Sequence, residues 1–276
     1  MSGCVRALTK CKGLHRFQYA AAQQGRVTVL SSLLFVTPSQ SGRFMSSIID
    51  TFIAPPCHDE IDILYQDESL LLINKPSGLL SLSGKNPQNR DSVHYRLCQR
   101  FPDCSLVHRL DFGTSGLMIV ARNKTVNAAL SQQFSRRTVG KVYSALLCGH
   151  PENDDGIIDA GIMKDPACFP RMSICSVHGK SARSRYRVMA RFYQQPREGR
   201  LLPVTRVELT PETGRTHQLR IHCQYFGYPI LGCDLYGGRL LPGCESAPRL
   251  MLHASELRFV HPVSHEPIHI CHASPF

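Results

Sequence analysis

Apolar and polar positions along this chain sort into short strands, a few helices and turn-rich joints. Ile61, Ile63 and Leu64 lead into the polar turn Gln66-Asp67-Glu68, and the run at residues 70–73 predicts a buried strand. Asn74-Lys75-Pro76-Ser77-Gly78 is a turn by composition, and residues 84–90 form a polar loop. Asp91-Ser92 caps a short helix whose apolar positions Val93, Leu97 and Phe101 fall at i, i+4 and i+8. The five apolar residues at 117–121 predict a strand buried on both faces.

Beyond that strand, Asn123 or Thr125 caps a second helix with Val126, Ala129, Leu130 and Phe134 on its apolar face. Arg136 and Arg137 suit the negative end of its dipole. Residues 139–148 alternate as a strand, with Val142, Ser144 and Leu146 opposite Lys141, Tyr143, Ala145 and Leu147. Short strands broken by Pro and Gly follow, up to Gly179. In residues 181–188, Arg183, Arg185 and Arg187 share one face of a further strand. That face is either solvated, the commoner case, or laid along an RNA backbone. Residues 204–210 make another strand, and Pro211-Glu212-Thr213-Gly214 closes it. Residues 215–226 predict a helix stopped by Gly227, with Leu219, His222, Cys223 and Phe226 as its buried stripe. On that stripe His222 reads as a packed histidine, not a ligand. Strands outnumber helices without strict alternation, which gives an α+β class with a mixed or antiparallel sheet.

At 276 residues the chain has ample length for a proper core. Its 32 Lys+Arg against 21 Asp+Glu give a net charge of +11, which favours a polyanionic partner, nucleic acid or an anionic membrane surface. No apolar run approaches the ~18 residues of a membrane span. The 12 cysteines include no Cys-x-x-Cys, which excludes a zinc ribbon or thioredoxin-type motif, and they are expected to be reduced. Residues 1–49 hold no acidic residue and six Lys/Arg, in the manner of a mitochondrial transit peptide, and Met45 offers a second start. The expected division is therefore a basic, poorly ordered extension over 1–59 and one folded domain over 60–276.

The chemistry concentrates at His108, Arg109 and Asp111, where a Gly-flanked loop enters the apolar strand. Functional carboxylates favour such a loop at a strand edge, although an Asp pinning the loop to its Arg neighbours would look the same. Asp111-Phe112-Gly113 spells a kinase tripeptide, but the motifs that should precede it are absent. His217 and His222 are five apart and lack metalloprotease spacing. A retaining glycosidase would need a second carboxylate at about 5–5.5 Å, and no motif picks one out. Arg215 sits where the last helix is expected to begin, a place where the dipole disfavours a cation. An anion should compensate it, and Asp111 is the candidate.

His108-Arg109-Leu110-Asp111, followed by Thr114-Ser115-Gly116-Leu117, resembles the signature of the RluA-type pseudouridine synthases. Three further stretches match in order: Asn74-Lys75-Pro76-Ser77-Gly78, then Lys141-x-Tyr143-x-Ala145, then residues 214–220 with Pro229-Ile230-Leu231-Gly232. The likeness is greatest to the small branch that modifies both a tRNA anticodon stem-loop and large-subunit ribosomal RNA. It implies one catalytic domain with a curved, mixed, mainly antiparallel sheet flanked by helices around a central RNA-binding cleft. It further implies that Asp111 is the catalytic aspartate, that Tyr143 packs against the target base and that Arg215 pairs with Asp111. By the same likeness Arg109 enters the RNA helix, Leu219 lines the pocket and His108 lies at the RNA. Gly113 and Gly116 would admit the RNA backbone.

The implied reaction flips a uridine out and isomerises it without metal or cofactor, Asp111 attacking the sugar or abstracting a proton. RNA is the expected partner, with no membrane, a monomeric state and a cytoplasmic setting, or a mitochondrial one if residues 1–49 are a transit peptide. No N-terminal S4-like RNA-binding domain is expected, so Arg183, Arg185 and Arg187, which belong to no family motif, are the candidates for extra RNA contact. The rival readings are a catalytically silent RNA-binding protein on the same fold and a glycosylase that releases uracil.

Overall fold

A computed structural model describes residues 52–195, 201–237, 244 and 247–276. The expectations for residues 1–49 lie outside the described residues. The described body begins before residue 60: the Ala54 amide donates to Asn89 Oδ1 at 2.8 Å, and Arg96 donates to the Asp59 carbonyl at 2.6 Å.

In chain order the elements are β1 (Asp62–Gln66), β2 (Leu70–Lys75), α1 (Val93–Cys98), β3 (Ser105–Leu106), β4 (Ser115–Ala121), α2 (Lys124–Ser135), β5 (Gly140–Cys148) and β6 (Asp155–Asp159). They continue with β7 (Ile162–Lys164), β8 (Met172–Ile174), β9 (Arg183–Gln194), β10 (Leu202–Pro211), α3 (Gln218–Tyr225), β11 (Leu252–Val260) and β12 (Pro267–Cys271). Ten strands form one sheet in the order β1-β2-β4-β11-β5-β10-β9-β6, with β3 paired to β4 and β12 to β11; β7 and β8 pair separately. Among the described strand pairs only β4 and β11 run parallel. The α+β class and the mixed, mainly antiparallel sheet are thus borne out.

The apolar runs explain the centre of this sheet. Every residue of β4 is buried, and side chains alternate between two faces. Leu70 and Leu72 of β2 join Leu117, Ile119 and Ala121 of β4 under Val126 and Leu130 of α2. Leu71 and Ile73 join Met118 and Val120 on the other face, under Val93 and Leu97 of α1. Each such side chain contributes about 1.5–3 kcal/mol on leaving water, so β4 is a rigid support for the loop ahead of it. The caps fall where expected: Ser92 Oγ accepts from the Tyr95 amide at 3.1 Å, and Asn123 Oδ1 from the Val126 amide at 2.9 Å.

The last helix departs from expectation. It starts at Gln218, and Arg215 lies outside it. The Gln218 side chain causes the delay: its Oε1 accepts from Thr213 Oγ1 at 2.7 Å and from the Arg215 amide at 3.0 Å. Its Nε2 donates to the Arg183 carbonyl and Ser184 Oγ, both at 3.0 Å. His222 is packed, as expected, between Ser184 Oγ at 2.9 Å and the Ala160 carbonyl at 3.1 Å.

Two other expectations are corrected. A Cβ at Gly116, where φ is +114°, would meet the Ala254 carbonyl oxygen at 2.3 Å, and one at Gly113 would meet Leu250 Cβ at 3.1 Å. Gly116 admits the backbone of β11 and Gly113 a leucine side chain, so the space beside each is taken by protein. Cys148 and Cys244, expected reduced, are joined in a disulfide, and the other eight described cysteines are free.

Candidate active site

A cleft of about 900 Å³ opens where the loop before β4, the start of β5 and the turn from β10 into α3 converge. Asp111, Arg109, His108, Tyr143, Arg215 and Leu219 all line it. These residues, singled out from the sequence, thus line one cleft, although the pairing expected between Arg215 and Asp111 is not the one observed.

The Asp111 loop is clamped from the Asn74–Gly78 turn. Lys75 is fully buried at the end of β2, and its Nζ donates to the carbonyls of Leu79 (2.7 Å), Pro76 (2.8 Å) and Phe112 (3.3 Å). Ser77 Oγ donates to the Gly113 carbonyl at 2.7 Å, the Gly78 amide to the Phe112 carbonyl at 2.9 Å, and Ser81 Oγ to the Leu110 carbonyl at 2.7 Å. Burial pushes the Lys75 amine down to about 7, against the opposing pull of Cys57 and Asp111. Composition alone had made Lys75 a turn residue; a lysine closing an apolar strand was the available signal.

Asp111 faces two donors on α3 and its approach. Arg220 Nη1 lies 3.6 Å from Oδ2, and His217 Nε2 lies 4.0 Å from Oδ1. The expected partner was Arg215, and this is corrected: Arg215 Nε donates instead to the Ser181 carbonyl at 3.1 Å, and the helix it was thought to open begins three residues later. The dipole argument belongs to Arg220, a cation in the first turn of α3. Its side chain is 5% exposed, and Asp234 takes its second nitrogen. Burial works against the guanidinium, but Cys233, Asp111 and Asp234 outweigh it and hold its pKa above the ordinary value.

Tyr143 sits mid-strand on β5, paired with Leu209 and Ala254. Burial first, then the Asp111 charge, raises its phenol pKa, so the ring enters the cleft neutral. Leu219 is 7% exposed and supplies an apolar wall. Arg109 is exposed at the cleft and forms no salt bridge among the described residues.

His108 lines the cleft and also has a structural task. Its Nε2 accepts the Ile119 amide at 3.0 Å, and its ring stacks on Phe134 at 4.7 Å. Burial, helped by Lys141, pushes its pKa down to about 3, so it is a neutral wall at pH 7.

Arg183, Arg185 and Arg187 do alternate along β9, but each meets a carboxylate: Arg183–Glu212 at 3.4 Å, Arg185–Glu212 at 2.6 Å and Arg187–Glu208 at 2.5 Å. None of the three lines the cleft. Among the described residues the one potential metal-ligand group is Glu256, His269 and Cys271 on β11 and β12, also not part of the cleft lining. Arg258 already contacts that glutamate.

Comparison with known proteins identifies the family. The family model described as RNA pseudouridylate synthase matches residues 69–225. The dual-specificity RNA pseudouridine synthase RluA of Vibrio vulnificus is 42% identical over 212 residues, 76% of this chain and 82% of that protein. Its Escherichia coli counterpart is 39% identical over 209 residues, 75% and 90% of the two chains. The solved structure of human RNA Pseudouridylate Synthase Domain Containing 1 superposes with a TM-score of 0.65 at 32% identity, covering 80% of this chain and 86% of its own.

Proposed function

Because the chain belongs to the RNA pseudouridylate synthase family, we propose that it isomerises uridine to pseudouridine in structured RNA, in a tRNA anticodon stem-loop and in large-subunit ribosomal RNA. The observation that carries this reading is Asp111 itself. It is a partly exposed carboxylate at a cleft, beside Arg220 and close enough to Tyr143 for its charge to raise the phenol pKa.

The target uridine leaves its stack to enter the cleft. Tyr143 offers it a ring face, Leu219 an apolar edge, and Arg109 takes the vacated place in the RNA. Asp111 opens the N1–C1′ bond, either by attacking C1′ or by taking the C2′ proton to leave a glycal. The uracil turns and C5 bonds to C1′, as the Asp111–C1′ ester breaks in the first route or as Asp111 returns the proton to C2′ in the second; the C5 proton is lost and N1 gains one, so composition is unchanged. Arg109, Arg137, Lys141 and Arg215 around the cleft offer cations to phosphates.

The test is to incubate the purified protein with an anticodon stem-loop transcript and a large-subunit rRNA fragment, then analyse nucleosides and RNA mass. Pseudouridine at constant mass is expected. Free uracil would replace the reading with glycosylase chemistry, and intact uridine on bound RNA would replace it with binding alone.

A further inference from the structure

Tyr236, which no sequence motif singled out, braces both donors that face Asp111. It is 2% exposed. Its ring centroid lies 5.5 Å from the guanidinium carbon of Arg220 and 5.4 Å from that of Arg171, and it meets the His217 ring edge-on at 5.8 Å. Its hydroxyl oxygen accepts the Met172 amide at 2.8 Å and lies 3.0 Å from His217 Nδ1.

A phenol has one proton to donate. Among the described residues no other acceptor takes it, so it goes to Nδ1 of His217; the reverse assignment would bury that proton unpartnered. The imidazole proton then sits on Nε2, the nitrogen that faces Asp111 Oδ1 at 4.0 Å. Burial lowers the pKa of the ring, with Asp111 pulling the other way, which suits a neutral, single tautomer. His217 also holds a left-handed backbone, φ 54°, a conformation that histidine shares with asparagine and aspartate more often than other non-glycine residues.

We propose that Tyr236 and His217 form a positioning pair for Asp111. Tyr236 fixes the tautomer, and His217 presents Nε2–H to Oδ1 while Arg220 holds Oδ2. Two donors on two oxygens set the plane of the carboxylate and aim its remaining lone pairs at the flipped uridine. At 3.6 and 4.0 Å the two contacts are ion-pair distances longer than hydrogen bonds, and catalytic contacts of this kind often tighten as substrate fills a site. The pair deepens the function proposed above and rests on Asp111 as the reacting group.

Two variants test it on an RNA that the wild-type protein modifies. His217→Asn keeps the left-handed backbone but has no donor that reaches Oδ1. Tyr236→Phe keeps the ring over Arg220 and Arg171 and removes only the hydroxyl. Single-turnover pseudouridine formation is expected to fall on the order of ten- to a hundredfold in the first and on the order of tenfold in the second, with the RNA Kd unchanged in both. A wild-type rate in His217→Asn overturns the proposal, since the residue is then only a backbone cap. A wild-type rate in Tyr236→Phe overturns the tautomer assignment, and lost RNA affinity in either variant overturns positioning as the cause. Asp111→Asn, assayed alongside, separates the two levels. If it is inactive while both variants match wild type, the pairing alone fails; if it stays active, the reading of Asp111 fails and the pair goes with it.

Discussion

Arg220 and the arginine row of β9 both meet carboxylates, and they differ in almost everything else. Arg220 is 5% exposed, spans Asp111 and Asp234, and stands over Tyr236. The side chains of Arg183, Arg185 and Arg187 are 41%, 58% and 66% exposed and lie along β9 against Glu212 and Glu208. In the first setting a guanidinium is fixed in a poorly solvated place, so removing it leaves a carboxylate without its counter-charge. In the second, water and salt screen each pair to about 0–1 kcal/mol. Three cations in a row advertise a polyanion site in the sequence, yet here they neutralise neighbouring glutamates. A single arginine hidden in a helix turn has the larger consequence.

The largest effect in this comparison is expected from Arg220→Met. Activity should fall by about two to three orders of magnitude, as on losing one preorganised charge partner. Stability should fall by about 1–3 kcal/mol, because Asp111 and Asp234 keep contact with water. Arg215→Ala, by contrast, should change the single-turnover rate at saturating RNA by less than about threefold, since the loss is a hydrogen bond to the Ser181 carbonyl and a phosphate contact that acts on binding. Equal losses in the two variants would erase the distinction drawn from the geometry.

The smallest effect is expected from the double variant Arg185→Gln, Arg187→Gln. Unfolding free energy should change by less than about 1 kcal/mol, and the salt dependence of RNA binding should keep its slope. A slope reduced by about 0.7–0.9 per arginine would show that these residues release the glutamates and contact phosphate. That outcome would put the stripe back among the RNA-binding residues.

What the sequence revealed, and what it hid, follows the same division between local and distant causes. β2 and β4 were legible because uninterrupted apolar runs need two covered faces, and α1 and α2 supply them. Ser92 and Asn123 were legible as caps because capping is local. Arg215 drew the role of Arg220 because the start of α3 is set by the Gln218 side chain reaching Thr213 and β9, which no periodicity displays. Lys75 bonds to Phe112 across 37 residues, and Tyr236 meets Met172 across 64. Gly116 read as an opening for RNA because its true neighbour, Ala254, arrives from a strand far along the chain. The Cys148–Cys244 bond, 96 residues apart, is of the same kind.

The central claim is that Asp111 reacts with the uridine instead of pinning its loop. Asp111→Asn measures this most directly, because the amide keeps the size of the side chain and removes the charge. Pseudouridine formed in a single turnover, measured with the RNA Kd and the melting temperature on one preparation, is the decisive readout. No pseudouridine above background, with RNA binding and fold retained, is the expected result. Turnover retained in that variant would contradict the account and leave Asp111 as a structural residue of the loop.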